Sequence, residues 1–582
     1  MYIVRFQKAR SPRGQVEIAM LPRIAVIGCG PTGLYTLKGL VASTTPLSIT
    51  IFEAEGEPGK GTPYHPDIND PAMLSNIPSI EFPALTETLV QWLERQSDLD
   101  LARLAIAREA IDGREFYPRV VLGEYMRDQF LALVAIGARN GHAIEVLERH
   151  RVTDIALQAD DIRLKVERAD GSHLDAVYEH VVMATGHNWP ESTEIRPGYF
   201  VSPWPATALG AIGTVPVGIL GTSLSAIDAL MTVATARGAF CFDAAGDLQY
   251  QPAPDTEGFH VTMMSRKGLL PEADFYCPLP YETPKVCTVE AVDALIATGR
   301  HDLLNDVFEL FRQEILAADP EYADRIGLSQ LNVESFAPAY YAERTQSDPF
   351  VWAATNLAET QYNRERRYTV PWRYAILITH EVVARVVNHL DETDLKRFHR
   401  YFKGIFIDDY ATVPLMSIRR LLALRCAGKL DILKLGEGYE ISEKGVARGV
   451  AVTVGGERHV FDAFIDATGQ ETLSATDLPF PTLVAQGGVR RSATPKAGAL
   501  MAEDGSVEMV RTGGIDIDDL YRPKLSAPLC DRLYCAAISF LLHKQPFVQG
   551  ITSACEIGET VSAAILSDVD TEGRVPLFQL SA

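Results

Sequence analysis

Short apolar runs alternate with helically spaced segments in the first part of the chain. Residues 23–27 form an apolar run, a glycine-rich stretch follows at 28–33, and residues 34–40 have helical spacing. A second apolar run, at 47–52, ends in Glu53. This order predicts a strand, a glycine turn, a helix and a second strand with an acidic residue at its tip.

The glycine stretch reads Gly-Cys-Gly-Pro-Thr-Gly, and each glycine has a separate physical use. Gly28 permits the tight turn, Gly30 lets the backbone approach a pyrophosphate, and Gly33 lets the helix pack closely on the strand. The helix, with Pro31 and Thr32 at its start, then directs its N-terminus towards the phosphates. The acidic residue at the second strand tip accepts ribose hydrogen bonds and repels a 2′-phosphate, so an adenine dinucleotide without that phosphate is predicted.

Glycine-rich loops and strand ends continue this pattern. One loop follows the acid-tipped strand and another lies at 73–78, and both are expected to run along a cofactor. Apolar strands run into Ala-Thr-Gly at 181–186 and again at 464–469, which predicts that the chain leaves the first domain and re-enters it. Two unrelated strand ends are the alternative. The cofactor-binding residues predicted here are Lys60, Gly61, Thr62, Asn76, Ala184, Thr185, Gly186, Thr468 and Gly469.

A second dinucleotide turn follows an apolar strand at 215–220. Its pattern, G-x-S-x-x-A, is a relaxed form of the turn with small residues at all three positions. The next strand, at 260–265, ends in two basic residues, which favour NADP(H) over NAD(H). A structural repeat that has lost its nucleotide is the alternative. The predicted binding residues are Gly221, Ser223, Ser225, Ala226, Arg266 and Lys267.

Residues 289–425 have mainly helical spacing and lie outside both dinucleotide folds. This block is expected to cap the active site and to hold the substrate. Its basic cluster offers a fork that matches a substrate carboxylate, although a solvated or ion-paired helix face also explains the cluster. The predicted substrate-binding residues are Arg364, Arg366 and Arg367.

Composition narrows the partners and the compartment. The chain has 54 Lys and Arg against 76 Asp and Glu, and the net charge of −22 disfavours nucleic acid and anionic membranes as partners. No apolar run reaches the roughly 18 residues that span a bilayer. The eight cysteines form no C-x-x-C pair and no Cys/His cluster, so no metal site is expected and a reducing cytoplasm is favoured.

Two further segments complete the pattern: Ser-Arg-Lys-Gly-Leu-Leu-Pro at 265–271, and Phe-Val-Gln-Gly-Ile-Thr-Ser at 547–553 before a long helix. With the turns and loops above, the chain resembles the FAD/NAD(P)-binding flavoproteins that have two dinucleotide-binding domains. This group is similar to single-component flavin-dependent N-hydroxylating monooxygenases. Its members include amine N-hydroxylases, of which one sort acts on aspartate in nitrous-acid-forming pathways, and a urate hydroxylase.

The resemblance implies roles by position. The turn at Gly28 would hold the ADP half of FAD, and the second turn would hold NADPH. Lys60, Gly61, Thr62 and Asn76 would lie near the isoalloxazine or the ribityl chain. Gly550 and Ile551 would begin a helix whose N–H groups point at the flavin C2 oxygen. One departure is that residues 533–539 lack the Gly-Asp pair of many related reductases. With no redox cysteine pair either, a disulfide reductase is disfavoured.

The same resemblance implies an enzyme that uses FAD, NADPH and O₂ as co-substrate. A C4a-hydroperoxyflavin would hydroxylate a small-molecule substrate, in first place the amine of an amino acid such as aspartate. The alternatives are a urate or heterocycle hydroxylase, an NAD(P)H:acceptor flavin reductase and a non-catalytic flavin-binding redox sensor. His187 is either close to the flavin edge or a hydrogen-bonding spacer. The sequence indicates no catalytic residue and leaves a homo-oligomer open.

The predicted fold class is α/β, with two Rossmann-like domains for FAD and NADPH and a mainly helical substrate or cap region. Five segments are expected along the chain. They are an N-terminal extension at 1–22, the first part of the FAD domain at 23–200, the NADPH domain at 201–288, the helical region at 289–425, and the returning part of the FAD domain, with its flavin loop and helix, at 426–582.

Overall fold

The computed structural model describes most of the chain. His187 and the greater part of the N-terminal extension lie outside the described residues, so the expectations made for them stay predictions. The described residues are 21–186, 193–469, 473–498, 507–525, 531–548 and 550–572.

Strands and helices are numbered here in chain order. The strands are β1 Arg23–Ile27, β2 Ser48–Glu53, β3 Ala143–Glu148, β4 His150–Leu157, β5 Ile162–Arg168, β6 His173–Tyr178, β7 His180–Met183, β8 Glu194–Arg196, β9 Tyr199–Phe200, β10 Pro216–Leu220, β11 Gly238–Phe242, β12 Leu248–Pro252, β13 His260–Ser265, β14 Leu430–Lys434, β15 Glu440–Ser442, β16 Val450–Val454, β17 Glu457–Phe461, β18 Ala463–Asp466, β19 Ala493–Pro495, β20 Met509–Arg511 and β21 Leu533–Cys535. The helices are α1 Pro31–Val41, α2 Leu89–Glu94, α3 Asp98–Arg103, α4 Arg119–Arg139, α5 Ala206–Gly210, α6 Leu224–Thr235, α7 Val289–Ile296, α8 Leu304–Ala318, α9 Pro320–Arg325, α10 Val333–Gln346, α11 Pro349–Arg366, α12 Pro371–Ala384, α13 Glu392–Arg397, α14 Lys403–Tyr410, α15 Leu415–Cys426, α16 Pro481–Ala485 and α17 Gly550–Glu572.

The first sheet is parallel and has the strand order β21-β7-β1-β2-β3. Its central strands are mostly buried, because α1, α17 and residues of β4, β5 and β6 pack in the same hydrophobic core. On one face α1 packs closely on α17, and a Cβ on Gly39 would collide with Ser562 Oγ. A Cβ on Gly558 would lie 2.7 Å from that of Tyr35. The antiparallel strands β4, β5 and β6 form a separate three-stranded sheet.

The second sheet has the order β14-β13-β10-β18-β9-β8 and is parallel except for β8. The prediction that residues from 426 onward return to the first domain is wrong for β14 and β18, because both pair within this second sheet. Strand β21 pairs in the first sheet, α17 packs on its covering helix α1, and α16 packs on β4, so these later elements return to the first domain. A strand that ends in Ala-Thr-Gly can close either dinucleotide fold, and its partner is set by long-range pairing that the local pattern does not contain.

Helices α7 to α14 form the middle region, in line with its helical spacing, whereas α15, which the predicted block at 289–425 includes, packs on β12 and β14 of the second domain. Aromatic rings in its core meet with centroids 4.9 to 5.8 Å apart, mostly edge to face, which is a favourable geometry for such rings. These rings are Phe308, Phe311, Phe336, Phe402 and Phe406.

Across the described ranges, none of the helices is long and apolar enough to cross a lipid bilayer.

Candidate functional site

The first glycine turn is closed by neighbouring strand ends. Gly28 donates its N–H to the carbonyl oxygen of Phe52 at 2.8 Å. A Cβ on Gly28 would collide with the carbonyl oxygen of Ala184, and a Cβ on Gly33 would collide with that of Gly28. Any larger residue would therefore open the turn. The turn has the tight backbone path and the helix N-terminus that suit a pyrophosphate.

Glu53 ends β2 beside this turn. Its Oε2 accepts a hydrogen bond from the N–H of Cys29 at 3.0 Å, and its Oε1 accepts one from the N–H of Glu55 at 3.1 Å. Burial raises the pKa of Glu53, and these N–H groups oppose the rise. A carboxylate has about four acceptor sites, so Glu53 can also accept hydrogen bonds from the ribose of a bound dinucleotide.

A loop after β2 passes directly over the turn. Gly59 donates its N–H to the carbonyl oxygen of Cys29 at 2.7 Å. Gly61 has a φ of +69°, and a Cβ on it would lie 2.9 Å from Cα of Gly30. Gly30 and Gly61 thus meet backbone to backbone, and the close contact and positive φ require glycine at position 61. Thr62, predicted to lie along the flavin, begins a short 3₁₀ helix just after this contact.

Lys60, in the same loop, is buried with its ammonium group between two carboxylates. Nζ lies 3.1 Å from Oε2 of Glu57 and 2.7 Å from Oε1 of Glu124. These ion pairs hold the loop to the start of α4. Because these ion pairs also offset the charge of Lys60, its position does not support the prediction that it lies beside the flavin.

The loop at 73–78 meets the start of α17. Nδ2 of Asn76 lies 3.8 Å from the place that a Cβ on Gly550 would take, and Ile551 is buried behind it. Ser539, on the returning segment, donates its hydroxyl to the carbonyl oxygen of Gly186 at 3.3 Å. The strand end at 184–186, the loop and the helix N-terminus therefore converge. Free N–H groups at a helix start favour a negatively charged ligand group.

The second glycine turn is built like the first. Gly221 has a φ of +128°, and a Cβ on it would lie 2.8 Å from the carbonyl oxygen of Ala467 and 3.3 Å from Cβ of Ala226. Ser223 is exposed at the N-cap of α6, and Ser225 lies half-buried in its first turn. The arrangement presents a helix N-terminus at the end of a central parallel strand, where dinucleotide phosphates bind in this kind of fold.

Thr468 and Gly469 lie beside this second turn, because β18 is a neighbour of β10. Ala467 donates its N–H to the carbonyl oxygen of Leu220 at 2.8 Å, and Thr468 donates its hydroxyl to Oδ1 of Asp466 at 2.7 Å. Their prediction as part of the returning first domain is wrong. The two residues belong with the second dinucleotide turn.

Basic residues lie at the carboxyl edge of the second sheet. Arg266 follows β13, and Lys434 ends β14 opposite Ser265. Both side chains are exposed on the edge where the ribose of a bound dinucleotide is expected. The ammonium group of Lys267 instead lies 3.6 Å from the ring centroid of Tyr341, in the middle region. Arg266 therefore stays a candidate for contacting the ribose phosphate, whereas the position of Lys267 does not support that prediction.

A cluster of charged side chains, called here the recess, lies where three parts of the chain meet. Arg114 comes from the first domain, Asp274 from the segment after β13, and Arg364 from the end of α11. Nη2 of Arg364 donates to the carbonyl oxygen of Arg114 at 3.1 Å. The hydroxyl of Thr412 donates to Oδ1 of Asp274 at 3.3 Å. The recess combines acidic and basic groups that are far apart in the sequence.

The carboxyl groups of the recess have raised pKa values. Burial raises the pKa of Asp274 to about 7, and the charge of Glu81 adds to the rise while Arg364 and Arg114 oppose it. Burial also raises the pKa of Glu81, and a hydrogen bond from the hydroxyl of Tyr281 lowers it. Carboxyl groups perturbed by burial and specific charges are typical of functional sites.

A buried charge network lies next to the recess and ties the middle region to the second domain. The carboxylate of Glu272 pairs with Arg373 and accepts a hydrogen bond from Nε1 of Trp352 at 2.9 Å. Arg344 lies 3.8 Å from the same carboxylate and also pairs with Asp408. Burial alone would raise the pKa of Glu272, but the two arginines hold it at about 2. Glu272 is therefore a structural anion.

The three predicted substrate arginines do not lie together. Arg364 reaches the recess. Arg366 is exposed, with its guanidinium carbon 3.4 Å from the ring centroid of Tyr362. Arg367 is an exposed C-cap of α11 with a φ of 52°. Only Arg364 stays a candidate for holding a substrate carboxylate.

Sequence reasoning missed Glu81, Arg114, Asp274 and Lys434. The first three meet only because the first domain, the segment after β13 and the middle region are packed together. Glu81 and Arg114 have no local motif that would single them out. A weak signal exists for Asp274, which follows directly on the segment at 265–271 that carries part of the family resemblance.

An open groove of about 680 Å³ lies elsewhere, between the segment at 66–72 and the second domain. It reaches Thr235 and Ala236 at the C-terminal end of α6, whereas the glycine turn lies at the other end of that helix. The groove is therefore separate from the dinucleotide edge.

The chain is similar over nearly its whole length to the Escherichia coli K12 protein YdhS. The two sequences are 42% identical over 554 residues, which cover 95% of this chain and 99% of YdhS. The chain belongs to the YdhS family. Residues 288–410 match the YdhS-like middle domain, and residues 25–188 match the FAD-NAD(P)-binding family. The YdhS family thus combines the predicted FAD/NAD(P)-binding fold with a helical domain of its own.

Solved structures are similar to the chain at low identity. The ornithine N-hydroxylase of Kutzneria sp. 744 is 14% identical with a TM-score of 0.45, over 94% of this chain and 99% of that one. The ornithine hydroxylase of Pseudomonas aeruginosa is 14% identical with a TM-score of 0.48, over 94% and 100%. The bacillithiol disulfide reductase of Bacillus cereus is 12% identical with a TM-score of 0.38, over 94% and 99%. The reaction of the YdhS family has to be argued from its own site.

Proposed function

We propose that the chain is an FAD- and NADPH-dependent monooxygenase that hydroxylates the amine nitrogen of a small amino carboxylate, with aspartate as the first candidate. The observation that carries the proposal is the charged cluster of the recess, which brings two arginines and two carboxyl groups together. A ligand that matches these walls carries both a negative and a positive group.

The two glycine turns support the cofactor part of the proposal. The turn at Gly28, with Glu53 beside it, fits a dinucleotide without a 2′-phosphate, as FAD is. The turn at Gly221 has Arg266 and Lys434 at the neighbouring strand ends, which fit the 2′-phosphate of NADPH. When bound, NADPH supplies electrons and FAD supplies the chemistry that activates O₂.

The recess supports the substrate part. A net charge of −22 repels an acidic substrate, so such a substrate needs local cations. The guanidinium groups of Arg114 and Arg364 provide them and suit a carboxylate. The carboxyl groups of Asp274 and Glu81 then face the ammonium group. An amino acid would be held at both ends, which orients its nitrogen before the reaction.

The test is an oxygenation screen of purified, FAD-loaded protein with NADPH and isotopically labelled O₂. L-aspartate, L-ornithine, L-lysine, cadaverine and urate are supplied singly, and product masses and hydrogen peroxide are measured. We expect one amino carboxylate to gain a labelled oxygen in step with NADPH consumption. Labelled urate would instead identify a heterocycle hydroxylase.

Two other outcomes would reject the monooxygenase. Complete return of the consumed O₂ as hydrogen peroxide, with every substrate unlabelled, identifies a flavin reductase. No flavin reduction by NADPH identifies a binding protein without turnover. Arg364→Ala and Arg366→Ala form a matched pair, because both remove a guanidinium from the same turn of α11. Only the first variant is expected to raise KM for the amino carboxylate.

A further inference from the structure

The open groove between the two dinucleotide domains has the size of a small-molecule site. Its volume is about 680 Å³, within the range in which proteins bind small organic ligands. One wall is the segment at 66–72, and the other is α5 with the last turn of α6. Ala206 donates its N–H to the carbonyl oxygen of Ile68 at 2.8 Å, which joins the two walls. Proline and alanine side chains make up the apolar part of the lining.

Asn69 lines this groove and is only 2% exposed. Its Nδ2 donates to the carbonyl oxygens of Thr62 and His65, both at 3.0 Å. Among the described residues, nothing donates to its Oδ1. An amide has two N–H groups and one carbonyl oxygen, so the unused capacity of Asn69 is that of an acceptor. A buried acceptor without a partner at the wall of a groove indicates a missing donor.

The last turn of α6 also offers acceptors to the groove. Thr232 donates its hydroxyl to the carbonyl oxygen of Asp228 at 3.1 Å, and Thr235 donates its hydroxyl to that of Met231 at 2.8 Å. Each hydroxyl has a single proton, so only oxygen lone pairs are left for a ligand. This turn is also the negative end of the helix dipole, which favours a cation.

Asp70 supplies the charge of the groove, since no Lys, Arg or His is found among the described residues that line it. One carboxylate oxygen accepts the N–H of Ala72 at 2.8 Å, which leaves the other available. Two arginines border the groove, and both are engaged by carbonyl oxygens. Nη1 of Arg420 donates to that of Ala72 at 2.7 Å, and Nη1 of Arg237 donates to that of Gly210 at 3.1 Å. The charge of Asp70 acts on Arg420 at longer range.

We propose that this groove binds a small organic cation, an ammonium or guanidinium group on an apolar body. Such a group carries donors and a positive charge and has no acceptor, which complements Asp70, Asn69 and the end of α6. The apolar body would pack on the proline and alanine side chains. A ligand in this place contacts both dinucleotide domains and would hold one against the other. The inference does not depend on which reaction the chain catalyses.

The test is a calorimetric titration of the FAD-loaded protein with four probes that share one phenethyl body. Phenethylamine and phenethylguanidine are the cations, phenethyl alcohol is the neutral analogue and hydrocinnamate is the anion. We expect each cation to bind at one site per chain. The alcohol and the anion should bind at least about fivefold more weakly, because they lack the charge-assisted contact.

The first matched pair of variants removes a carboxylate charge. Asp70→Asn keeps an acceptor for the N–H of Ala72, so the loop should keep its shape. It should weaken both cations about five- to tenfold and leave the alcohol unchanged. Asp67→Asn is the control, since this side chain of the same segment is 88% exposed and does not line the groove, and it should change nothing.

The second matched pair fills the groove. Nothing lies within 4 Å of a Cβ added to Gly210 or to Gly213, and only Gly210 lines the groove. Gly210→Phe should abolish binding of every probe, whereas Gly213→Phe should bind as the wild type does. Thermal unfolding and flavin content verify that the variants are folded. If Gly210→Phe does not fold, the comparison of Asp70→Asn with Asp67→Asn decides.

Three results would overturn the inference. A cation that binds folded Gly210→Phe, or Asp70→Asn, as tightly as the wild type occupies another site, the recess included. Tighter binding of hydrocinnamate than of phenethylamine would show that the groove takes anions. Absence of binding by either cation up to about 5 mM would show that it takes no such ligand. None of these results bears on the proposed monooxygenase, which the oxygenation screen tests separately.

Discussion

The carboxylate of Asp228, in α6 of the second domain, lies 2.8 Å from Nη2 of Arg119, at the start of α4 in the first domain. The two side chains are only 7% and 14% exposed. Burial raises the pKa of Asp228 to about 6 even though the arginine lowers it. Nε of Arg119 also donates to the carbonyl oxygen of Leu74 at 3.2 Å, so one guanidinium joins the two dinucleotide domains beside the loop at 73–78.

Arg119→Ala should therefore destabilise the protein in a pH-dependent way. The folded pKa of Asp228 lies above the ordinary Asp value, so its contribution to stability is present at low pH and is lost as the pH rises through about 6. Without the arginine we expect the free energy of unfolding to fall by about 3 kcal/mol at pH about 8 and by less at pH about 5. Urea unfolding at both pH values measures this.

Two further variants serve as controls for that measurement. Asp228→Asn in the Arg119→Ala background should restore most of the loss, because no charge stays buried. Arg103→Ala breaks an exposed pair with Asp100, where the arginine side chain is 70% exposed, and should cost less than about 1 kcal/mol. An equal loss for Arg119→Ala at both pH values would contradict the account of this pair.

Gly33→Ala should leave the purified protein depleted of FAD. The Cβ of the new alanine would collide with the carbonyl oxygen of Gly28, so the turn has to open. Overpacking of this kind typically destabilises a protein by about 1–3 kcal/mol. FAD binding should weaken about tenfold or more. Flavin absorbance per chain is the measurement. Gly404→Ala, in α14 with no atom within 4 Å of its new methyl group, should keep full flavin.

Nucleotide preference should depend on Arg266 and Lys434 and not on Lys267. Arg266→Ala removes a charge-assisted contact worth about 1.5–3 kcal/mol, so NADPH should bind about ten- to a hundredfold more weakly while NADH changes little. Lys434→Ala should act in the same direction. Calorimetric titration with both nucleotides decides the matter. Lys267→Ala and the exposed Lys444→Ala should weaken the two nucleotides equally or not at all.

Arg373→Met should destabilise the middle region. It leaves Glu272, which is 4% exposed, without its main partner, and such losses reach about 3–5 kcal/mol. The wild-type pKa of Glu272, about 2, lies below the ordinary value, so its stabilisation is present above that value and is lost as the pH falls towards about 2. Unfolding curves at neutral and acidic pH test both statements. Glu272→Gln, added to Arg373→Met, should restore much of the stability lost at neutral pH.

Much of the fold could be predicted because its signals are local. The glycine turns at Gly28 and Gly221 follow from apolar strands, small residues and helical spacing within about 30 residues. The helical middle region follows from spacing alone. The sequence pattern places β18 in the wrong sheet, because Ala-Thr-Gly identifies the end of a strand but not the strand that pairs with it.

The recess could not be predicted in the same way. The basic cluster predicts Arg364 from its charge and its neighbours. The same cluster also predicts Arg366 and Arg367, whose positions at the end of α11 leave them exposed and away from the recess. Glu81, Arg114 and Asp274 are brought together by the packing of three separate units. The pKa values of Glu81 and Asp274 are raised by burial, and neighbouring charges adjust them, so this property does not exist before the chain folds.

The place of β21 in the first sheet has a consequence for biosynthesis. Strand β1 leaves the ribosome about 500 residues before β21, and synthesis at ~5–20 residues per second separates the two by roughly half a minute to two minutes. During that interval β7 has no partner on one side, and α1 lacks the helix that covers it. The nascent chain therefore completes its flavin-binding half last, and the apolar edge of an unfinished sheet has to be shielded until then.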